Sequence, residues 1–474
     1  MPDGERTKNG KYTNPEGSKT WEYLSIFTCT MFSFSIGTTI GWVSPTIVKL
    51  LEPDSPIPFT PDDISTMVAA SAVGHVISPP LNHFFVDRIG RRNTLLLSGL
   101  PVIISSAMIM VARHIWVIHV ARILVGFSLG MCLCVSPMYM GEVASIRTRG
   151  LAGASIGVMI NLGILFTYVV CPYLSIASVG GLLMIIALGF VFAFWFMPES
   201  PHYLAMVGRI EEAEAVLEKL RGRMDVSEEL KVLKDAVPKS AGERSSEKGR
   251  QNRASWRDVF TGRGNRRALL IAFLFLLPQH FGGYFLVLAY NELIFKNAGM
   301  AIPSHWATIA VGISQLLSAV ISGLLVDKLG RRPLILGAGL TAGLCNAVMG
   351  GYLFAQEYVG VDVEPYSVLF LLAVLVQVFF FNFGLLSIHL VIMAEVFNTE
   401  VKGVAMSIVG VCSAVFGIIS SKFYITIAVT WAVGHSVPFL AFAFVVWVST
   451  ILLVMITPET KGRSFVQIQL DLNR

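Results

Sequence analysis

The sequence predicts an all-α membrane protein of twelve transmembrane helices, divided six and six, on three observations. The 474 residues are 54% hydrophobic and only 14% charged, with a mean hydropathy of +0.67. An average soluble domain carries about 25% charged residues, so this deficit requires many lipid-facing segments rather than one buried core helix. Apolar runs long enough to cross a bilayer recur twelve times, and short charged motifs recur at matching ends of those runs.

In order, the runs fall at 22–46, 64–85, 94–112, 115–138, 151–173 and 175–197, then at 267–291, 304–326, 333–354, 366–391, 404–421 and 433–456. At about 1.5 Å per residue each can cover a hydrocarbon core of about 30 Å. Lipid offers no partner to backbone N–H and C=O groups, so a spanning segment is a helix or part of a closed barrel, and these lengths select helices. The first run is too long for a signal-peptide core and lacks a small-residue cleavage site, so it reads as a span. The organisation is then 1–197 with a polar arm and six spans, 198–266 as a polar linker, and 267–474 with six spans and a tail. In the linker, Ile210, Ala213, Leu217 and Leu220 recur at helical spacing and predict an amphipathic helix over 209–221, whereas 238–253 reads as polar and flexible.

Basic residues set the orientation. With the N-terminus in the cytoplasm, 31 of the 36 Lys and Arg fall on the inner side, as the positive-inside bias requires. Both termini are therefore expected in the cytoplasm. The basic linker reads as this same bias, with binding to anionic lipid headgroups as the alternative. All six cysteines lie in apolar stretches without metal-ligand spacing and read as small hydrophobes.

The halves repeat three motifs in the same order. Asp87-Arg88-Ile89-Gly90-Arg91-Arg92 after the second span returns as Asp327-Lys328-Leu329-Gly330-Arg331-Arg332 after the eighth. Glu142 followed by Arg149-Gly150 returns as Glu395 followed by Lys402-Gly403 at identical spacing, and Pro198-Glu199-Ser200 after the sixth span returns as Pro458-Glu459-Thr460 after the twelfth. These motifs resemble those of sugar porters of the major facilitator superfamily over nearly the whole chain. Gly41-Trp42-Val43-Ser44-Pro45, Asn161 with Gly163, and the short loop after the first span are most similar to insect facilitated trehalose transporters and their relatives. The resemblance implies two six-helix bundles, the major facilitator fold, around a central site that opens to each side in turn.

Acid and base at one cytoplasmic level in both halves predict ion pairs across the two bundles. Glu142, Glu199, Glu395 and Glu459 would face Arg91, Arg92, Arg149, Arg331 and Arg332, with Asp87, Arg88, Asp327 and Lys402 in the same network. Such pairs would close the inner side and separate when it opens. Each partly exposed pair contributes about 1 kcal/mol or less, so a network is needed to bias the switch.

Proton-coupled relatives carry an Asp in the first span, and the matching position here is Thr39. No Asp or Glu lies at the centre of a predicted span, and Glu292 sits near the outer end of the seventh. A proton relay usually needs an intramembrane acid or histidine, so facilitated diffusion is expected, while His280 and His389 keep a proton-linked alternative open. Arg122 matches the family arginine without its acidic partner and is expected to snorkel outward or to meet backbone carbonyls.

A sugar presents hydroxyls around a ring with apolar faces, so its site needs amides, hydroxyls and an aromatic surface in a cleft. By matching position the resemblance implies Gln279 as the leading contact, with Asn161, Gln315, His280, Phe281, Gly282, Gly283 and Tyr290 around it. For Asn161 and Gln315 an interhelical hydrogen bond reads equally well. The chain departs from the family here. The pattern Q-Q-x-S-G-x-N becomes Gln279-His280-Phe281-Gly282-Gly283-Tyr284-Phe285, G-P-x-P-W in the tenth span becomes Leu386-Ser387-Ile388-His389-Leu390, and Asn-Trp in the eleventh becomes Ser413-Ala414. Without its prolines the tenth helix is expected to be straighter and less able to bend, and without the tryptophans two stacking platforms are gone.

The resemblance thus implies a facilitative uniporter of a sugar such as trehalose or glucose, working by alternating access in the plasma membrane. Two alternatives stand beside it: a divergent carrier of another polyhydroxylated solute, or a sensor with little transport. The implied partners are a sugar or polyol and the lipid bilayer. The sequence carries no nucleotide loop, metal cluster or nucleophile–base pair, so no enzyme, cofactor, metal or nucleic-acid partner is expected. Matched charges in both halves fit alternate closure better than an open channel.

Overall fold

The computed structural model describes residues 19–53, 55, 57–145, 147–236, 259–260, 262–326, 328–397, 401–461, 463, 467–468 and 472. Within these residues twelve helices are long and apolar enough to cross a membrane. They are Thr20–Leu50, Pro61–Asn82, Arg91–Val111, Ile115–Val143, Arg149–Tyr173 and Ile176–Trp195, then Arg263–Asn297, Ser304–Leu325, Arg331–Val359, Glu364–Met393, Val404–Thr430 and Ser436–Ile456. Each answers to one predicted run, and they are called spans one to twelve.

Local chemistry sets several ends. The Thr60 hydroxyl accepts from the Asp63 N–H at 3.2 Å while the Asp63 carboxylate accepts from the Thr60 N–H at 2.9 Å, with Pro61 at the first helical position. This reciprocal cap satisfies free donors at the start of span two. Ser175 caps span six through the Ser178 N–H. Between spans six and seven lie short helices at Pro201–Met206, Ile210–Arg221 and Ser227–Ala236. The predicted amphipathic helix is the second of these, with Ala213, Leu217 and Leu220 buried. The stretch 238–253 lies outside the described residues.

Two six-helix bundles result. In the first, span one packs on four, five and six, and span four on two and three; in the second, span seven packs on eleven and twelve, and span nine on ten and twelve. The bundles meet where span two packs on eleven and span five on eight, two contacts exchanged by the internal repeat. An even number of spans puts the start of span one and the end of span twelve on one side, here the terminal side; the other is the far side.

Spans one and seven correspond under the repeat but differ here. In span one Trp42 keeps a right-handed helical conformation, donating its N–H to the Thr38 carbonyl at 3.0 Å and accepting from the Thr46 N–H at 3.3 Å. Span seven stops at Phe281 and restarts at Tyr284, with Gly283 at φ +81°, a conformation that suits glycine. The Gly282 carbonyl accepts instead from Asn346 Nδ2 at 2.9 Å and Gln377 Nε2 at 3.3 Å, both fully buried side chains.

Span ten corrects an expectation. It is not a straight regular helix, because a π-helical segment at Phe381–Leu386 divides it. Ser387 Oγ donates to the Asn382 carbonyl at 2.7 Å, and Asn382 Nδ2 donates to the Gln315 carbonyl at 3.3 Å. Side-chain bonds thus support an irregular turn without proline, and π segments are a recognised cause of helix bending.

Candidate functional site

On the terminal side each set of motifs builds one cluster within its own half. In the first, Arg91 Nε lies 3.1 Å from Glu142, and the Arg91 and Arg92 N–H groups each donate to Glu199 at 2.9 Å. The Ser200 hydroxyl also donates to Glu142. In the second, Arg331 Nη2 lies 3.2 Å from Glu395, and the Arg331 and Arg332 N–H groups donate to Glu459 at 3.0 and 3.1 Å. A carboxylate therefore sits on the free N–H groups that open spans three and nine, where the helix dipole favours negative charge.

In this form the pairs expected across the bundles are not made, and the charges meet within each half. Glu142 and Glu199 take Arg91 and Arg92, while Glu395 and Glu459 take Arg331 and Arg332. The reason is proximity: a helix start and the arginine beside it lie within hydrogen-bond reach of their own half's glutamate. Arg92 donates to the Trp195 carbonyl, and Arg332 donates to the Val454 carbonyl at 3.0 and 2.6 Å, so each satisfies a carbonyl at the end of span six or twelve. Arg149 is exposed and has no partner among the described residues. Asp87 is exposed at the end of the helix that continues span two. The Arg88 guanidinium lies 4.1 Å from the Phe84 ring centroid, and its carbonyl accepts from the Tyr203 hydroxyl at 2.9 Å. Asp327 and the Lys402 side chain lie outside the described residues.

The two capping carboxylates differ. Burial pushes Glu199 above the ordinary carboxylate range despite its three backbone N–H bonds. Glu459 also feels burial, but the N–H groups of Arg331, Arg332 and Lys461 and the Arg331 charge outweigh it and hold Glu459 below that range.

The halves are joined by polar contacts on the far side. Ser44 Oγ donates to Asn291 Oδ1 and accepts from the Glu292 N–H at 3.0 Å. Asn291 Nδ2 donates to the Tyr168 hydroxyl at 3.0 Å, which donates to the Leu288 carbonyl at 3.1 Å. Lys422 Nζ on span eleven lies 2.7 Å from both Asp62 and the Thr66 hydroxyl on span two. Sequence reasoning missed Ser44, Tyr168 and Asn291 as a latch. Asn291, an amide inside an apolar run, was the available signal.

At the centre, two departures from the family pattern meet their partners. Gln279 Nε2 lies 2.8 Å from His389 Nδ1, and His280 Nε2 lies 2.9 Å from Ser413 Oγ. Phe281 packs on Phe416 with ring centroids 5.8 Å apart, and His280 stacks on Phe285 at 5.5 Å. Asn161 donates to the Gly157 carbonyl of its own helix at 2.8 Å, so the interhelical bond is not the one it makes. Gln315 is fully buried, and neither end of its amide has a partner among the described residues. Gly312 faces Leu165 and Tyr168, and Gly323 faces Ala154, a register that sets Gln315 level with Asn161 across the bundle interface. The Tyr290 hydroxyl and His389 Nε2 are likewise buried and unpartnered. Arg122 takes the second of its two expected courses: Nη1 donates to the Thr39 carbonyl at 3.1 Å.

Comparison with known proteins agrees with this architecture. Residues 21–472 match the family described as "Sugar (and other) transporter". Facilitated trehalose transporter Tret1 of Apis mellifera ligustica is 27% identical over 95% of this chain and 88% of its own. Sugar transporter ERD6-like 6 of Arabidopsis thaliana is 28% identical over 94% of this chain and 90% of its own. A solved structure of the xylose transporter XylE from E. coli in an inward open conformation superposes with a TM-score of 0.78 at 20% identity, covering 95% of this chain and 99% of that one. The chain has the major facilitator fold and belongs to the sugar transporter family.

Proposed function

We propose that this chain is a uniporter that carries a sugar of the trehalose or glucose type by alternating access. Both termini lie in the cytoplasm of a cell whose plasma membrane holds the protein, and residues 198–266 link the two bundles there. The far side is then the outside, and the latch through Ser44, Asn291 and Tyr168 marks an inward-facing form.

The observation that carries this reading is Gln315. A primary amide buried at the interface of two bundles, with donor and acceptor both free, needs a partner that offers both. A ring of hydroxyls does so, and the unpartnered Tyr290 hydroxyl and His389 Nε2 add to the set. The names of the insect and plant relatives support the sugar. Uniport is supported by Thr39 at the family's acidic position, with its hydroxyl turned back on the Ile36 carbonyl at 2.7 Å.

Counterflow of labelled trehalose and glucose in proteoliposomes without a pH gradient tests the proposal. Gln315→Leu is expected to raise KM about tenfold, the size of one lost hydrogen bond of roughly 1.4 kcal/mol. Uptake that disappears when the proton gradient is collapsed would sink the uniport reading. Ligand-induced thermal stabilisation without counterflow of any sugar or polyol would identify a sensor.

A further inference from the structure

We infer that Asn346 and Gln377 are positioning residues for the solute site: they pin the break in span seven from spans nine and ten, and so fix where the outer half of that span carries Tyr290.

The inference begins with an unpaired carbonyl. Where a helix stops inside a membrane, its last carbonyls lose their partners and lipid supplies none. Span seven stops in this way at Phe281, and two fully buried amides answer it. Asn346 Nδ2 and Gln377 Nε2 both donate to the Gly282 carbonyl, and Gln377 Nε2 also donates to Asn346 Oδ1 at 3.1 Å. Gln377 Oε1 has no partner among the described residues. Leaving a buried acceptor empty is unfavourable, so it is the donor end that gives this amide its use.

The amides occur in the half that has the break. The repeated motifs align Arg91 with Arg331 and Glu142 with Glu395, which sets Ser106 against Asn346 and Leu124 against Gln377. Ser106 donates to the Val102 carbonyl of its own helix at 2.8 Å, and a leucine side chain has nothing to donate. Span one, in the half without these amides, keeps its helical conformation through Trp42.

The same joint reaches span ten and the solute site. Tyr284, which opens the outer half of span seven, stacks on Phe381 with ring centroids 4.6 Å apart. Phe381 opens the π segment of span ten, one turn beyond Gln377. The break in one span and the irregular turn in the other therefore share one anchorage. Gln279 lies on the inner half of span seven and Tyr290 on the outer half. The angle held at Gly282 thus decides whether Gln279 and the free Tyr290 hydroxyl meet the same solute. This role rests on the reading of the chain as a sugar carrier.

Hydrogen exchange in the purified full chain tests the anchorage without any solute. Gln377→Met and Asn346→Leu keep the bulk but remove the donors, and each is expected to speed exchange over residues 283–290 about tenfold. Counterflow of labelled glucose tests the positioning through a double-mutant cycle. Tyr290→Phe in the parent chain is expected to raise KM about tenfold, the effect of one lost hydrogen bond. In the Gln377→Met background the same change should raise KM less than about twofold, because the hydroxyl is already out of reach. Loss of folded carrier alone would lower the rate and leave the tenfold effect intact. Unchanged exchange in both variants, or KM effects that multiply independently, overturn the inference. A parent chain without counterflow would remove the carrier reading and leave hydrogen exchange to decide the anchorage.

Discussion

At Gly90 the first copy of the repeated turn runs at φ +91°, whereas at Gly330 the second runs at φ −68°, although the same Arg-Arg pair follows each. The partners also correspond: a glutamate on the helix start, and a second glutamate on the first arginine. The difference is cover. Over the first cluster lies the short helix Pro201–Met206, from which Tyr203 bonds the Arg88 carbonyl and Met206 Sδ meets Arg91 Nη2 at 3.7 Å. Accordingly the Arg91–Glu142 side chains are 4% and 14% exposed, against 9% and 27% for Arg331–Glu395. A repeated motif specifies which groups bond, while the segments packed over it determine how much water they keep.

The sharpest test removes the first arginine of each pair. Arg91→Ala leaves Glu142 half-enclosed without its counter-charge and should cost about 3 kcal/mol, in the range for breaking buried pairs. Arg331→Ala should cost about 1–2 kcal/mol, since water reaches Glu395 more easily. Melting midpoints of the purified variants report the difference, and equal losses would break the comparison.

A smaller effect separates the glycines. At Gly90 a side chain would adopt a left-handed conformation and collide with Glu199 and Tyr203, so Gly90→Ala should cost about 1–3 kcal/mol. At Gly330 the added carbon would lie 3.2 Å from Glu459 in an ordinary conformation, and the change should stay below about 1 kcal/mol. A Gly330→Ala variant that melts lower than Gly90→Ala would contradict this assignment.

The smallest effect is in acid, and its sign differs between the halves. Glu199 has a raised folded value, so its contribution is complete below the ordinary carboxylate value and is lost as pH rises through the raised one. Glu459 has a depressed folded value, so its contribution is present above the ordinary value and is lost as pH falls through the depressed one. Acidification from neutral should therefore raise the contribution of Glu199 to folding and lower that of Glu459. Melting midpoints of Glu199→Gln and Glu459→Gln against the parent chain, followed from neutral into acid, measure both.

Much of the fold was legible because membrane crossing is a one-dimensional constraint: length and apolarity alone mark a span. The helix Ile210–Arg221 was legible for a similar reason, since its buried face follows a helical period. Partner choice was not. Charge pattern placed Glu142 and Arg91 at one level but could not say that they lie in one bundle's cluster rather than across the gap. The Gln279–His389 and His280–Ser413 bonds join residues more than one hundred positions apart, so each departure from the family pattern looked like a loss until its partner was seen. Span ten misled because proline is only one cause of a bend, and the Ser387–Asn382 bond that supports its π segment has no distinctive pattern in sequence.

By itself the sequence determined twelve helices, their division into repeated halves and the charged residues at their ends, since solvation by lipid acts on each segment separately. The tertiary structure alone decided that the terminal-side charges close within each half, that the far-side latch joins the halves, and that Gln315 and Arg122 keep free donors in the interior. Those outcomes depend on which helices pack together, and close packing among distant segments is a property no local stretch contains.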